Sequence, residues 1–441
     1  MLLRLRSLTD RVRARWHASN EEHRTIFRAV LSVAAFSILG KLATAAKEIA
    51  IAWRFGVSPI VDAYLFVFNL CNWIILIWFS VLTVVLIPLE ARLRRESPEQ
   101  LGAFRGEALG ATILLGLLLV AAVELVVPVV LASSAVGLPQ RTAALALQMV
   151  PILAWLGFVG PLVALYSTWM MSGGRNANTL LEGVPSLAIL AAVLVSGSID
   201  SLIVGTLVGV SLQLICVAWP RTGSGEVRFP VFRFSSPAWR SFTHGFALVV
   251  VGQVIIGATT LIDQFFAAGL GEGAISSIGY AARIVGLLNG VVALTATRAT
   301  LPVFSRAAVG DARRIRRVAF QWAALLGLIG LIAALVGVLS APWVVRVLFQ
   351  RGTFTAVDTA QVATLLRFGL LQLPFYFAGL VFVSLHASRG AYRVLLMGGV
   401  LGLVVKVATI WLLVGTLGLP ALMISAALMY LATLLLMIGF A

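Results

Sequence analysis

Apolar stretches long enough to cross a bilayer recur from one end of this 441-residue chain to the other, and no other feature constrains the fold as strongly. They fall at about 27–53, 60–89, 106–132, 142–171, 178–196, 200–219, 242–269, 275–304, 318–340, 358–387, 391–415 and 419–440. A helix needs roughly 20 residues to span the hydrocarbon, and in lipid every backbone N–H and C=O must be satisfied within the protein. The expected fold is therefore an all-α polytopic membrane protein, with twelve transmembrane helices in two six-helix lobes around a central cavity.

The formal net charge is +16, yet charged residues are only 11% of the chain. A nucleic-acid interface gathers its cations on one solvated face, whereas here they lie in short connections between apolar runs, so no nucleic-acid partner is expected. Counted by side, the charges follow the positive-inside rule. Of the 33 Lys and Arg, only Arg54, Arg141, Arg346 and Arg351 fall opposite the N-terminal side, Lys41, Lys47, Arg283, Arg298, Arg367 and Lys406 lie well within spans, and the rest, with Arg28 and Arg393 in the first turn of their spans, share the side of the N-terminus. This places both termini in the cytoplasm of a multi-pass protein of the bacterial inner membrane. Residues 1–26 read as a basic amphipathic arm on the membrane surface, with Leu2, Leu3, Leu5 and Trp16 as anchors.

The longest polar connection, 220–241, divides the chain into an N-lobe over 27–219 and a C-lobe over 242–441. A repeat supports the division. Gly56 closes the loop after the first span, and the second ends at Pro88 with Arg92 beyond it. Gly271 closes the loop after the seventh, and the eighth ends at Pro302 with Arg306 beyond it. Six spans per half give both halves one orientation, with a cavity between them.

A charge at mid-helix costs about 2.5–3.5 kcal/mol even on the lenient insertion scale, so it persists only toward protein or a wet cavity. All three lysines of the protein, Lys41, Lys47 and Lys406, are intramembrane. Lys41 and Glu48 are two turns apart on one face of the first span, with Lys47 about 120° round the helix. Asp62 opens the second span, with Asn69 and Asn72 below it; Asp263 lies on the seventh and Arg283 on the eighth. By residue count these groups line the outer half of one cavity. Internal salt bridges, such as Lys47–Asp62 and Asp263–Lys406, are the alternative use of the same residues. Lys406 matches Asp263 in depth to within about 3 Å by count and rise, and if they pair, Lys406 supplies internally the charge that a bound sodium ion could otherwise bring. Glu124 and Glu182 are either cavity-lining or partnered residues, and the partnered reading is preferred.

The four histidines have no ligand spacing, Cys71 and Cys216 sit in apolar runs, and no catalytic motif is present. No metal, no cofactor and no catalytic residue is expected, and the protein is not read as an enzyme.

The stretch SILGKLATAAKEIAIAWRFGVSPIVDAY resembles the first-helix signature of the MurJ (MviN) lipid II flippase family, within the multidrug/oligosaccharidyl-lipid/polysaccharide (MOP) exporter superfamily. Lys41, Lys47, Glu48, Phe55, Gly56, Asp62 and Ala63 fill its slots. IGYAARI around Arg283, LPVFSR from Leu301 and LFQRGTFTAVDT from Leu348 extend the similarity in order along the chain. The resemblance implies a flippase that moves an undecaprenyl-diphosphate-linked saccharide from the inner to the outer leaflet by alternating access. Its cationic cavity would be Lys41, Lys47 and Arg283, with Asp62 near the outer mouth. Its partners would be the polyprenyl-diphosphate-linked glycan, membrane lipids and cell-envelope glycan synthesis proteins.

The chain departs from the family pattern in three ways. Lys41 and Lys47 stand where arginine is usual, Ile75 and Ser80 stand where the family tends to carry Arg and Glu, and the chain ends after its twelfth span. A flippase for an exopolysaccharide or O-antigen repeat unit, or a non-transporting scaffold for a glycan synthase, is the alternative. An antiporter of small cationic drugs is disfavoured by three cations in the cavity.

Overall fold

The structure is a computed structural model that describes residues 36, 38–133, 136–173, 178–222, 229–307 and 312–441. The basic arm over 1–26 and the start of the first span lie outside the described residues. Helix α1 covers 38–55. After it come α2 (Pro59–Val81), a π-helical turn (Leu82–Leu86) and α3 (Ile87–Glu96). The rest of the first half is α4 (Pro98–Ala132), α5 (Gln140–Leu153), α6 (Leu156–Ser172), α7 (Asn178–Leu181), α8 (Val184–Val195) and α9 (Ile199–Thr222). The second half comprises α10 (Ala238–Ala268), α11 (Ala274–Ala307), α12 (Ala312–Phe349), α13 (Ala356–Leu370), α14 (Leu373–Ser388), α15 (Tyr392–Leu417) and α16 (Pro420–Gly439).

Among the described residues nine helices are long and apolar enough to cross a membrane, and the bent pair α5–α6 makes a tenth. Leucines such as Leu118 and Leu125 stand exposed on their outer faces, a surface that suits hydrocarbon and would be a liability in water. The chain is a multi-pass membrane protein.

Prolines place the interruptions. The ring of a helical proline clashes with the carbonyl four residues back and leaves it without its usual donor. Pro88 follows the π-helical turn in this way. Pro161 lies four residues after Gly157, beside the 49° bend between α5 and α6. Pro185 lies four residues after Leu181, where α7 stops; Glu182 and Gly183 form a turn before α8 begins.

Packing is dense within each half. In the first, α4 lies on α6, α8 on α9, and α2 on α5 and α6; in the second, α15 lies on α16, α12 on α13 and α14, and α11 on α13 and α14. The halves meet mainly where α2 packs against α10 and α11. The largest apolar core joins both halves and includes Ile51, Val61, Ile278 and Phe354. Two smaller cores stay apart, one around Trp169 and Phe242, the other around Phe304 and Phe382.

The end of the molecule that carries Gly56 is tied together by polar contacts across the halves. Thr353 N–H donates to the Trp53 carbonyl at 2.9 Å, and the Tyr280 hydroxyl donates to the Gly56 carbonyl at 3.1 Å. Gly352 makes this approach possible: its φ is +60°, and a Cβ there would run into the Trp53 backbone.

At the opposite end the extended segment 229–235 is strapped to α4. Val231 N–H donates to the Gly106 carbonyl at 2.9 Å. The buried Glu107 carboxylate accepts from the Trp239 indole at 2.6 Å and from the N–H groups of Ser235 and Ser236 at 3.2 Å each. These last donors flank the start of α10, so one carboxylate both holds the strap and complements a helix N-terminus.

Candidate functional site

A cavity of about 460 Å³ lies between α1, the α7–α8 break, α11 and the last turn of α12. Helix α1 presents Gly40, Lys41, Thr44, Ala45, Glu48 and Ile49 to it. These positions repeat at helical spacing, which is why Lys41 and Glu48 can sit in an apolar span without facing lipid.

The ionic centre joins the two halves. Glu48 is buried and takes one cation on each oxygen: Lys47 Nζ lies 2.8 Å from Oε1, and Arg283 Nε lies 3.0 Å from Oε2. Arg283 comes from α11, its guanidinium 5.5 Å from the centre of the Tyr280 ring, and its Nη1 is buried without a hydrogen-bond partner among the described residues. A carboxylate shared by two cations leaves a net positive charge, and the free guanidinium nitrogen keeps a donor for an incoming anion. Lys41 stands toward the other end of the cavity. It has no ion pair or hydrogen bond among the described residues, and its ammonium lies beside Gly290 of α11.

Lys41, Glu48 and Arg283 thus line one cavity, and Lys47 joins them through Glu48. Asp62 is elsewhere. It is buried at the junction of the halves, where it accepts from Gly273 N–H at 2.6 Å and Ser276 N–H at 2.7 Å, capping α11. Lys47 therefore pairs with Glu48, and Asp62 with a helix end. A carboxylate is stabilised by backbone donors and the helix dipole as well as by a lysine. Asn69, Asn72 and Glu124 are half-buried and outside the residues lining the cavity. Asp263 and Lys406 form an ion pair at 2.7 Å within the second half, with the ammonium also 3.3 Å from Ser425 Oγ. Among the described residues no cluster of His, Cys, Asp or Glu is fit to hold a metal ion.

Of the two uses the sequence allowed for Glu182, the structure shows the cavity-lining one. It lies on the cavity wall, and it makes no ion pair or hydrogen bond with any described residue. The signal was present in EGVP, residues 182–185. A proline three positions on interrupts the helix just where the carboxylate stands, so the carboxylate is not committed to helix packing.

A family model described as lipid II flippase MurJ matches residues 51–440. A probable lipid II flippase MurJ of Bdellovibrio bacteriovorus is 26% identical over 250 residues, covering 54% of this chain and 46% of the relative. One from Rhizobium meliloti is 25% identical over 349 residues, covering 74% of this chain and 64% of the relative. The matched stretches thus span about half to two thirds of these relatives' length. A solved structure, lipid II flippase MurJ in an inward closed conformation, superposes with a TM-score of 0.79 at 16% identity, covering 93% of this chain and 87% of that one.

Proposed function

Because this chain belongs to the MurJ lipid II flippase family, we propose that it is a transporter without catalytic activity that carries a polyprenyl-diphosphate-linked saccharide from the inner to the outer leaflet by alternating access. One observation carries the reading: Arg283 of the second half reaches Glu48 of the first, which also pairs with Lys47, at the wall of a cavity that holds Lys41, without an ion pair among the described residues.

A diphosphate cannot cross hydrocarbon with its water stripped and nothing in exchange, since an isolated charge in a low-dielectric medium is very unfavourable. The cations of this wall replace that water by charge-assisted hydrogen bonds, while the prenyl tail stays in lipid. Because the cations come from both halves, an anion bound between them acts on the relative position of the halves, which is what alternating access requires.

The distribution of arginines puts both termini in the cytoplasm. In that orientation the end carrying Gly56 and Thr353 is outward, and the core joined across the halves supports a state closed to the outside. At the other end the core around Trp169 takes in only the start of α10 from the second half and stays apart from the core around Phe304 and Phe382, which supports a cleft open toward the cytoplasm, from which the cargo enters.

Lipid II or a related cell-envelope precursor is the cargo. A different repeat unit, of the exopolysaccharide or O-antigen kind, is favoured by Ile75, which fills the space a Cβ would need at Gly160 and so gives apolar packing where the family tends to place arginine.

The test is translocation of a fluorescent polyprenyl-diphosphate glycan in proteoliposomes by Lys41→Gln, Lys47→Gln and Arg283→Gln. Each is expected to insert normally and to lose transport. Parental rates in all three would end the anion-site reading.

A further inference from the structure

Glu182 is out of place in an anion site. The cavity wall carries Lys41 and Arg283, with Lys47 joined through Glu48, and the Glu48 carboxylate is ion-paired to Lys47 and Arg283. Glu182 is not engaged; it faces the cavity with no hydrogen bond or ion pair among the described residues. A second carboxylate there repels a diphosphate and weakens the field of Lys41, so binding of the anion alone gains nothing from it. Its position is also built. Pro185 breaks the helix at this point, and Gly183, in the turn, sits against Gly40 of α1, where a Cβ would come within 3.3 Å of the Gly40 Cα. The break thereby holds Glu182 at the level of Lys41, seven residues from Glu48 and about 10 Å along the helix.

The same wall carries a hydroxyl. Thr44 lines the cavity, and its Oγ1 lies 3.1 Å from Ser186 Oγ in the first turn of α8. A free carboxylate, the Thr44 hydroxyl, whose own proton goes to the Gly40 carbonyl at 3.0 Å, and an apolar surround form a surface that accepts hydrogen bonds from neutral donors. Sugar hydroxyl and acetamido groups are such donors, and hydrogen bonds from them to a carboxylate are of the stronger, charge-assisted kind.

We propose that Glu182, with Thr44 held in place by Ser186, forms a saccharide subsite that reads the first sugar of the cargo while Arg283 and Lys41 hold the diphosphate. The inference rests on the proposed flippase function and deepens it. It separates the two tasks of the cavity: cations bind any polyprenyl diphosphate, and the carboxylate selects one that carries sugar. A site built to hydrogen-bond a ligand group discriminates strongly against the analogue that lacks it.

The experiment measures binding of three short-chain probes to the purified full chain: a polyprenol, its diphosphate, and the diphosphate bearing a single N-acetylated hexose without peptide. In the parent protein the sugar-bearing probe is expected to bind more tightly than the bare diphosphate. Glu182→Ala should reduce that preference about tenfold, a change of about 1.4 kcal/mol, and Glu182→Asp should restore part of it. An unchanged preference in Glu182→Ala, with both probes shifting by the same factor, would mean that Glu182 acts only through the charge of Lys41 and would overturn the proposal. The omission of peptide ensures that a contact to a peptide ammonium cannot produce the expected result. If the parent binds the diphosphate no better than the polyprenol, the anion site itself fails, an outcome distinct from loss of the sugar preference alone.

Discussion

Lys406 and Asp263 lie 2.7 Å apart in the second half, with the lysine 1% and the aspartate 22% exposed. The pair joins α15 to α10 inside an apolar bundle. A buried pair stabilises little against apolar packing, but removing one partner leaves an uncompensated charge and costs about 3–5 kcal/mol. Lys406→Met and Asp263→Leu are each expected to reduce folded yield sharply, and the double variant to recover most of it; additive losses would show no coupling. Since the carboxylate already has a cation tethered to the chain, transport by the parent protein is expected to be the same in sodium and in potassium, which a proteoliposome assay checks.

Asp62 ties the halves at the end carrying Gly56, through the N–H groups of Gly273 and Ser276. Asp62→Ala strands these donors and removes hydrogen bonds to a charged group, each worth about 1.5–3 kcal/mol. The halves should part more often at this end. In a background freed of Cys71 and Cys216, a cysteine replacing the buried Ser277 should react with a permeant thiol reagent faster in Asp62→Ala than in the parent. Equal rates would show that Asp62 does not hold this closure.

Val357 is 76% exposed beside the Thr355–Asp358 capping box and takes no part in it. With both termini cytoplasmic, Val357→Cys is expected to label with an impermeant reagent on intact cells, and Glu99→Cys only after permeabilisation. The reverse pattern would invert the orientation.

Glu107 fastens the strap before α10. Glu107→Ala should free that segment, so that trypsin cuts at the exposed Arg233 several-fold faster than in the parent, with a stability loss of about 1.5–3 kcal/mol. An unchanged cleavage rate would mean that Val231 and the neighbouring aromatic contacts suffice.

What the sequence determined by itself was the helical, membrane-spanning architecture and the set of intramembrane charges. Both follow from local costs: a backbone in lipid must close its own hydrogen bonds, and a charge in a span must face away from lipid. The spacing of Lys41 and Glu48 on one face is equally local, since it depends on helix geometry alone.

Which charge meets which was decided only by the tertiary structure. Glu48, rather than Asp62, takes Lys47, and it takes Arg283 as well, because α11 brings its guanidinium over the face of α1. Asp62 is drawn to the end of α11 because the free N–H groups there satisfy a carboxylate without a lysine. Glu182 illustrates the same limit. Its residue type suggested a partner, but Pro185 breaks the helix and leaves it facing the cavity. An electrostatic partner is chosen over a few ångströms in space, and residues far apart in the chain reach that distance only when the helices pack.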